Sequence, residues 1–216
     1  LHVGAPSGRK GADVLQECWG RWWRDRSDAT CVLKTTIADP DNEPRARRHL
    51  LFAGWQERAP GVFDHGNLTL DTRTLPLAEL VRLYGSAHGF AFPTGGEGWG
   101  LTVHEAMATA CPVICTRVGG HLDFTSDATV TYLDWTLRAS VLEGPGAPED
   151  RVIESAWVEP ADLSHAMDTM MRHYPAALRR ARAGARHVRG FTWDRAAATV
   201  LDHLAAQYPH AATVAA

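Results

Sequence analysis

Short apolar segments alternate along the chain with longer segments in which apolar residues recur at helical spacing. The short segments predict buried strands, because strands covered on both faces read as continuous apolar runs. The longer segments predict amphipathic helices. Strands are expected at 1–3, 30–34, 67–70, 89–93, 112–115 and 130–133, and helices at 12–23, 77–86, 161–173, 175–189 and 193–207.

This order of elements predicts the fold class. Strands separated by helices need crossover connections, which produce a parallel sheet with helices on its faces. We therefore expect an α/β fold, with one Rossmann-like domain at 1–190 and a C-terminal helical extension at 191–216. Residues 38–49 are polar and are interpreted as a surface excursion. Residues 134–156 carry Gly, Pro and Glu without a period, which predicts a long loop.

Composition narrows the functional classes. The chain has 216 residues and a net charge of −3, so nucleic acid is not expected as its main partner. No apolar run approaches the ~20 residues needed to cross a bilayer, so no transmembrane segment is expected. The four cysteines have no further Cys or His pair at zinc-site spacing, and no metal site is predicted. They are Cys18, Cys31, Cys111 and Cys115, which we interpret as small buried thiols in a reducing cytosol.

The candidate chemistry is concentrated in the segment 97–105, between the apolar segments 89–93 and 112–115. Glu97 and Glu105 are eight positions apart, and a glycine-flanked loop between them leads into a helix. In an open parallel sheet, ligands bind where the strands end, so this loop is expected at the binding edge. Its glycines would let the backbone approach a ligand closely, and a charged side chain among them has little packing role. Glu97 is therefore a candidate ligand contact.

Glu105 has a structural alternative. Thr102 and Glu105 have the spacing of a capping box, in which the carboxylate would only satisfy a free backbone N–H at the start of a helix. From the spacing alone, both interpretations of Glu105 stay open.

The segment 4–11 also joins a strand to a helix, and it carries two cations, Arg9 and Lys10. Backbone donors and the macrodipole at a helix N-terminus attract anions, so this turn is a candidate diphosphate site. A solvated turn is the alternative. Gly119 and Gly120 follow another predicted strand and are interpreted either as further N–H donors to an anion or as a plain turn.

Together these residues resemble the donor-binding domain of GT-B fold glycosyltransferases, in the retaining family 4. The resemblance covers nearly the whole chain. The elements that carry it are Arg9-Lys10-Gly11, Pro93, Glu97-Gly98-Trp99-Gly100-Leu101, Glu105-Ala106-Met107-Ala108, Pro112-Val113-Ile114, Gly119-Gly120, Trp157-Val158-Glu159-Pro160 and Phe191-Thr192-Trp193.

The resemblance implies a role for each site residue. Lys10 would neutralise the diphosphate and Glu97 would contact hydroxyls of the transferred sugar, so these two are the expected catalytic residues. Glu105 would bind the ribose hydroxyls. The remaining donor contacts would come from Arg9, Gly98, Trp99, Gly100, Leu101, Gly119 and Gly120. No cofactor or metal is implied, because the UDP- or GDP-linked sugar is itself the substrate.

One position departs from the family pattern. Members carry an Arg just after the glycine of the first loop, as a second phosphate cation, and this chain has Ala5 there. The resemblance also implies an N-terminal domain that binds the acceptor, which would be a saccharide, a lipid or a small molecule. We therefore expect this chain to lie in the cytoplasm or at the inner membrane face, to bind donor, and to transfer no sugar by itself. The alternatives are a GT-B fold nucleotide-sugar epimerase and a non-catalytic binding module or subunit.

Overall fold

The computed structural model describes residues 1–5, 8–35, 53–141 and 152–208, so the prediction for 38–49 lies outside the described residues. The strands in these ranges are β1 His2–Val3, β2 Cys31–Lys34, β3 Gln56–Ala59, β4 Val62–His65, β5 Leu68–Asp71, β6 Phe90–Phe92, β7 Val113–Thr116, β8 Thr131–Leu133, β9 Thr136–Val141 and β10 Val152–Trp157. The α-helices are α1 Ala12–Cys18, α2 Leu77–Ser86, α3 Leu101–Ala108, α4 Pro160–Arg172, α5 Tyr174–Val188 and α6 Trp193–Gln207. None of the described helices has the length and apolarity needed to cross a membrane.

The parallel strands follow the order of a nucleotide-binding sheet. β1 pairs with β2 and β2 with β5, while β6 pairs with β7 and β7 with β8, all of them parallel. β1 also lies beside β6, because the Leu1 nitrogen donates to the Gly89 oxygen at 2.9 Å and the Ala91 N–H donates to the Leu1 oxygen at 2.9 Å. The resulting order, β5–β2–β1–β6–β7–β8, is that of a Rossmann sheet and confirms the predicted fold class.

Two apolar clusters cover the two faces of this sheet. Successive side chains of a strand point to opposite faces, and accordingly Ala91 belongs to one cluster and Phe92 to the other. The first cluster includes Leu15 of α1 and Leu163 of α4. The second includes residues of α2, α3 and α5, among them Val103. Helices on both faces leave the strand ends open, and the crevice of such a sheet lies where β1 and β6 end and the chain turns to opposite sides.

The prediction of a long loop at 134–156 is wrong for its described residues, 134–141 and 152–156. β9 and β10 pair antiparallel, with Thr136 opposite Trp157 and Val141 opposite Val152. They form a hairpin next to the main sheet. Side chains of this hairpin are largely exposed, with Leu137 at 59% and Val152 at 63%. Because no fully buried face dictates which residues alternate, the two strands have no clear hydrophobic period. The exposed strand β3 escaped prediction for the same reason.

The predicted helix at 12–23 ends in a π-helical turn over its last five residues. A π-helical turn is wider than an α-helical one, so residues four apart come closer to alignment than residues three apart. The rings of Trp19 and Trp23 accordingly stack with centroids 5.5 Å apart, while Trp22 is 44% exposed. Trp19 and Trp22, three positions apart, therefore do not share a packed face.

All four cysteines are described, and all are free and buried, which confirms that they are buried thiols. Burial raises the pKa of the Cys18 thiol to about 12 and that of Cys111 to about 11. The pKa values of Cys31 and Cys115 are raised by the same cause. These thiols therefore stay protonated at neutral pH and belong to the core.

Candidate functional site

Two loops meet at the edge where β1 and β6 end. After β1 the chain passes through a 3-10 turn, Gly8–Lys10, to Gly11, whose φ is +75°. A Cβ at Gly11 would lie 2.1 Å from the carbonyl oxygen of Pro93, which follows β6. Glycine is required here both for the left-handed conformation and for the close approach of the two loops.

Hydrogen bonds fix the start of the second loop from both sides. On one side, the Gly95 N–H and the Thr94 hydroxyl both donate to the Arg9 oxygen at 2.8 Å. On the other side, the Ala156 N–H of β10 donates to the Gly95 oxygen at 3.1 Å. The second loop is therefore held between the first loop and the base of the hairpin.

The two loops bring opposite charges into contact. Lys10 Nζ lies 2.5 Å from Glu97 Oε1, and Arg9 Nη1 lies 3.4 Å from the same oxygen. The Thr94 hydroxyl oxygen also lies 3.2 Å from Glu97 Oε1. The Glu97 side chain is only 7% exposed and that of Lys10 18%, so water screens this pair less than a surface pair. The cations of the first loop and the carboxylate of the second thus form one cluster.

Gly119 and Gly120 hold the backbone of the second loop. The Gly120 N–H donates to the backbone carbonyl oxygen of Glu97 at 2.9 Å. A Cβ at Gly120 would lie 1.8 Å from the Gly98 oxygen, and Gly119 has a φ of +91°. The Gly120 amide is thus engaged in holding the loop, and the role of this glycine pair toward an anion stays a prediction.

The structure contradicts the capping-box interpretation of Glu105. The N-cap of α3 is Gly100, with a φ of +81°, and no side chain caps this helix. Thr102 lies inside the helix and cannot be the capping residue. The Glu105 carboxylate instead accepts a hydrogen bond from the Tyr84 hydroxyl of α2, at 2.9 Å. Glu105 is therefore held in place by a tyrosine that the sequence did not indicate.

We expect Glu105→Ala to lower the free energy of unfolding by roughly 1–2 kcal/mol, because Tyr84 is 1% exposed and its hydroxyl would lose its partner. Urea unfolding measures this loss. Tyr84→Phe removes the hydroxyl itself. In a Tyr84→Phe background, Glu105→Ala should therefore lower the free energy of unfolding by clearly less than it does in the wild type. Equal costs in both backgrounds would show that the hydrogen bond does not stabilise the fold.

Trp99 connects the second loop to the end of the domain. Its ring centroid lies 4.9 Å from that of Phe124 and 6.0 Å from that of Phe191, which comes just before α6. His104 of α3 packs against the same two phenylalanines. Trp99 is 36% exposed, so one part of the ring packs in this aromatic cluster and the rest faces solvent at the site.

Residues 1–133 match the family described as glycosyl transferases group 1. The chain belongs to this family. It is 27% identical over 128 residues to D-inositol 3-phosphate glycosyltransferase of Corynebacterium urealyticum, an alignment that covers 59% of the chain and 25% of that protein. It is 29% identical over 193 residues to the enzyme of the same name from Jonesia denitrificans, and this alignment covers 89% of the chain and 39% of that enzyme. The chain therefore spans about a quarter to two-fifths of the length of these relatives.

Solved structures of glycosyltransferases share the fold. The C-terminal domain of the group 1 protein LpcC from Francisella tularensis has a TM-score of 0.58 at 16% identity, with 88% of this chain and 83% of that one covered. Sucrose-phosphate synthase from Thermosynechococcus elongatus has a TM-score of 0.65 at 21% identity, with 97% and 46% covered. Anabaena HepE, in complex with UDP and glucose, has a TM-score of 0.61 at 15% identity, with 94% and 47% covered. The fold is that of a GT-B-like C-terminal domain.

Most of the residues singled out in this group 1 chain converge on one edge of the sheet. They are Arg9, Lys10, Glu97, Gly98, Trp99, Gly100, Leu101, Gly119 and Gly120, with Glu105 one turn into α3. Sequence reasoning missed Thr94 and Tyr84. Thr94 directly follows a buried strand and Tyr84 is a polar aromatic residue on an amphipathic helix, and both are weak signals. No three His, Cys, Asp or Glu side chains in the described ranges are grouped so that they could hold a metal ion.

Proposed function

We propose that this chain is the donor-binding half of a retaining, family 4 glycosyltransferase, which moves a sugar from a nucleoside diphosphate sugar to an acceptor hydroxyl. The observation that carries the proposal is the meeting of Lys10 and Glu97 at the crevice where β1 and β6 end. A cation for the diphosphate and a carboxylate for sugar hydroxyls then lie on the edge where Rossmann-type sheets bind nucleotides.

Sugar transfer from a nucleoside diphosphate requires a cation beside the diphosphate. The bond between the anomeric carbon and the diphosphate oxygen breaks, the acceptor oxygen bonds to the anomeric carbon, and the acceptor proton passes to the departing phosphate. Negative charge grows on the diphosphate as it leaves, and a fixed cation such as Lys10 stabilises that charge most in the transition state. Lys10 forms an ion pair with Glu97, and its Nζ lies over the Phe92 ring, 5.7 Å from the ring centre. These two contacts pre-organise the cation for this task.

The carboxylates have separate roles in this proposal. Glu97 binds hydroxyls of the transferred sugar, and the glycine-rich backbone that follows approaches the sugar and the distal phosphate. Glu105, oriented by the Tyr84 hydroxyl, binds the ribose. No protein nucleophile is required, because attack and departure occur on the same face of the sugar. No cofactor or metal is assigned, and the substrate is a UDP- or GDP-linked sugar.

The acceptor side of the reaction is assigned to another part of the protein. No residue of α6 is buried, although the helix has an apolar stripe with helical spacing. The exposed members of this stripe are Trp193, Val200, Leu201 and Leu204, and the exposed Tyr208 follows directly after the helix. We assign the stripe to contact with an N-terminal domain that binds the acceptor. By itself the chain should bind donor and be inactive as a hexosyltransferase, with a location in the cytoplasm or at the inner membrane face.

We expect the folded chain to bind UDP or GDP with a Kd of about 1 mM or tighter, a range typical of enzyme substrates. Isothermal titration calorimetry tests this directly. Lys10→Met should abolish the heat, whereas Arg179→Met, which removes an exposed cation from α5, should leave it unchanged. A folded chain that binds neither nucleotide would contradict the proposed function. Binding without transfer after fusion to an acceptor domain would favour a binding module, and interconversion of free nucleotide sugars would favour an epimerase.

A further inference from the structure

We propose that Glu97 competes with the diphosphate for Lys10, so that the site favours the nucleotide sugar over the bare nucleoside diphosphate. This selectivity rests on the proposed function. It assigns Glu97 a second task besides contact with the sugar, because a carboxylate that weakens the grip on the bare diphosphate also promotes release of that product.

The hydrogen bonds of Glu97 are strongly asymmetric. Its Oε1 atom accepts from Lys10 at 2.5 Å and from Arg9 at 3.4 Å, and the Thr94 hydroxyl oxygen lies 3.2 Å away. For Oε2, no hydrogen bond is found to any described residue. One oxygen therefore holds the cations, and the other is left for a ligand.

Lys10 has few ways to leave this contact. Its side chain is only 18% exposed, and its Nζ lies 5.7 Å from the centre of the Phe92 ring. A diphosphate that arrives at the first loop must therefore bind Lys10 while Glu97 is still beside it. The carboxylate and the phosphates then share one ammonium group.

The charges decide which ligand tolerates this arrangement. Arg9, Lys10 and Glu97 together carry a net charge of +1. The Glu97 carboxylate cancels one cation and repels a diphosphate, and like charges this close in a partly buried site are unfavourable. A sugar hydroxyl that donates to Oε2 offsets the repulsion with a charge-assisted hydrogen bond. A bare nucleoside diphosphate has no such hydroxyl and keeps the full penalty.

The test compares Glu97→Gln with the wild-type chain by calorimetry. Glutamine keeps the shape and an acceptor oxygen but removes the negative charge. We expect UDP or GDP, whichever the wild type binds, to bind Glu97→Gln about tenfold more tightly. The matching nucleotide sugars, UDP-glucose and UDP-N-acetylglucosamine or GDP-mannose, should gain less or bind more weakly. Glu17→Gln is the matched control, because it removes one partly exposed carboxylate from α1, where Glu17 pairs with Arg21 at 2.8 Å.

The outcomes separate the two proposals. If the wild type binds no nucleotide, the proposed function fails. If the wild type binds but Glu97→Gln binds the bare diphosphate no more tightly, or if Glu17→Gln has the same effect, the competition is refuted and the proposed function stands. Glu97→Asp provides a second measurement if the glutamine variant does not fold. Its shorter side chain keeps the charge but retracts from Lys10, so bare diphosphate should again bind more tightly than in the wild type.

Discussion

Replacement of Gly120 by alanine is expected to lower the free energy of unfolding by about 3 kcal/mol or more and to abolish nucleotide binding. The added Cβ would lie 1.8 Å from the Gly98 oxygen and 2.6 Å from the Gly98 carbonyl carbon. These are backbone atoms, so the clash cannot be relieved by rotating a side chain. The loop must therefore move, and this movement breaks the hydrogen bond from the Gly120 N–H to the backbone oxygen of Glu97.

Gly96→Ala is the matched control for this variant. Gly96 lies in the same loop, but a Cβ there would meet no atom within 4 Å. Urea unfolding and nucleotide titration of both variants should show a large loss for Gly120→Ala and almost none in stability for Gly96→Ala. Wild-type stability and affinity in Gly120→Ala would mean that the loop has room to shift and that its described conformation is not required.

The second large effect is a loss of stability in acid. Burial is the main cause that lowers the pKa of His2 from 6.5 to about 4, and burial also lowers the pKa values of His104 and His121. Below pH 6.5 the unfolded chain therefore binds protons that the folded chain does not. The contribution of His2 to stability is full above pH 6.5, falls as the pH drops toward 4, and changes little below that. His2 alone accounts for about 3 kcal/mol over this window.

The measurement is urea unfolding at pH 7 and pH 5, where His2 alone predicts a difference of about 2 kcal/mol. His2 Nδ1 donates to the Ala91 oxygen at 2.9 Å, and its Nε2 is buried without a partner among the described residues. His2→Gln keeps a donor for Ala91 and should reduce the difference in stability between pH 7 and pH 5 by about 2 kcal/mol. His203→Gln, on the exposed surface of α6, should leave it unchanged. An equal slope in all three proteins would contradict this origin of the acid sensitivity.

The sequence allowed the parts of the fold with a strong local signal to be predicted. α2 forms at the expected residues 77–86, because its apolar residues recur at helical spacing directly after Pro76. The strand–loop–helix–strand unit around Glu97 is also as expected, since buried parallel strands read as continuous apolar runs. In the site, the convergence of the two loops follows from the predicted sheet, because both follow strands that end at the same edge.

The remaining features depend on contacts between residues far apart in the sequence. Lys10 and Glu97 are 87 positions apart, so nothing local indicates that they bond directly. The partner of Glu105 could not be predicted either, because the capping-box spacing has the same local appearance whether or not Thr102 begins the helix. The hairpin β9–β10 is built on exposed strands, and the hydrogen bond from the Ala156 N–H to the Gly95 oxygen connects it to the site.

The apolar stripe on α6 also affects how the chain behaves in solution. Trp193 is 85% exposed, Leu201 65% and Leu204 46%, and all three belong to one helix in which no residue is buried. Contiguous exposed apolar surface of this kind promotes self-association, and a net charge of −3 opposes it only weakly. Two chains that meet through α6 would hide these apolar side chains from water. The apparent molecular mass of the chain should therefore rise with protein concentration.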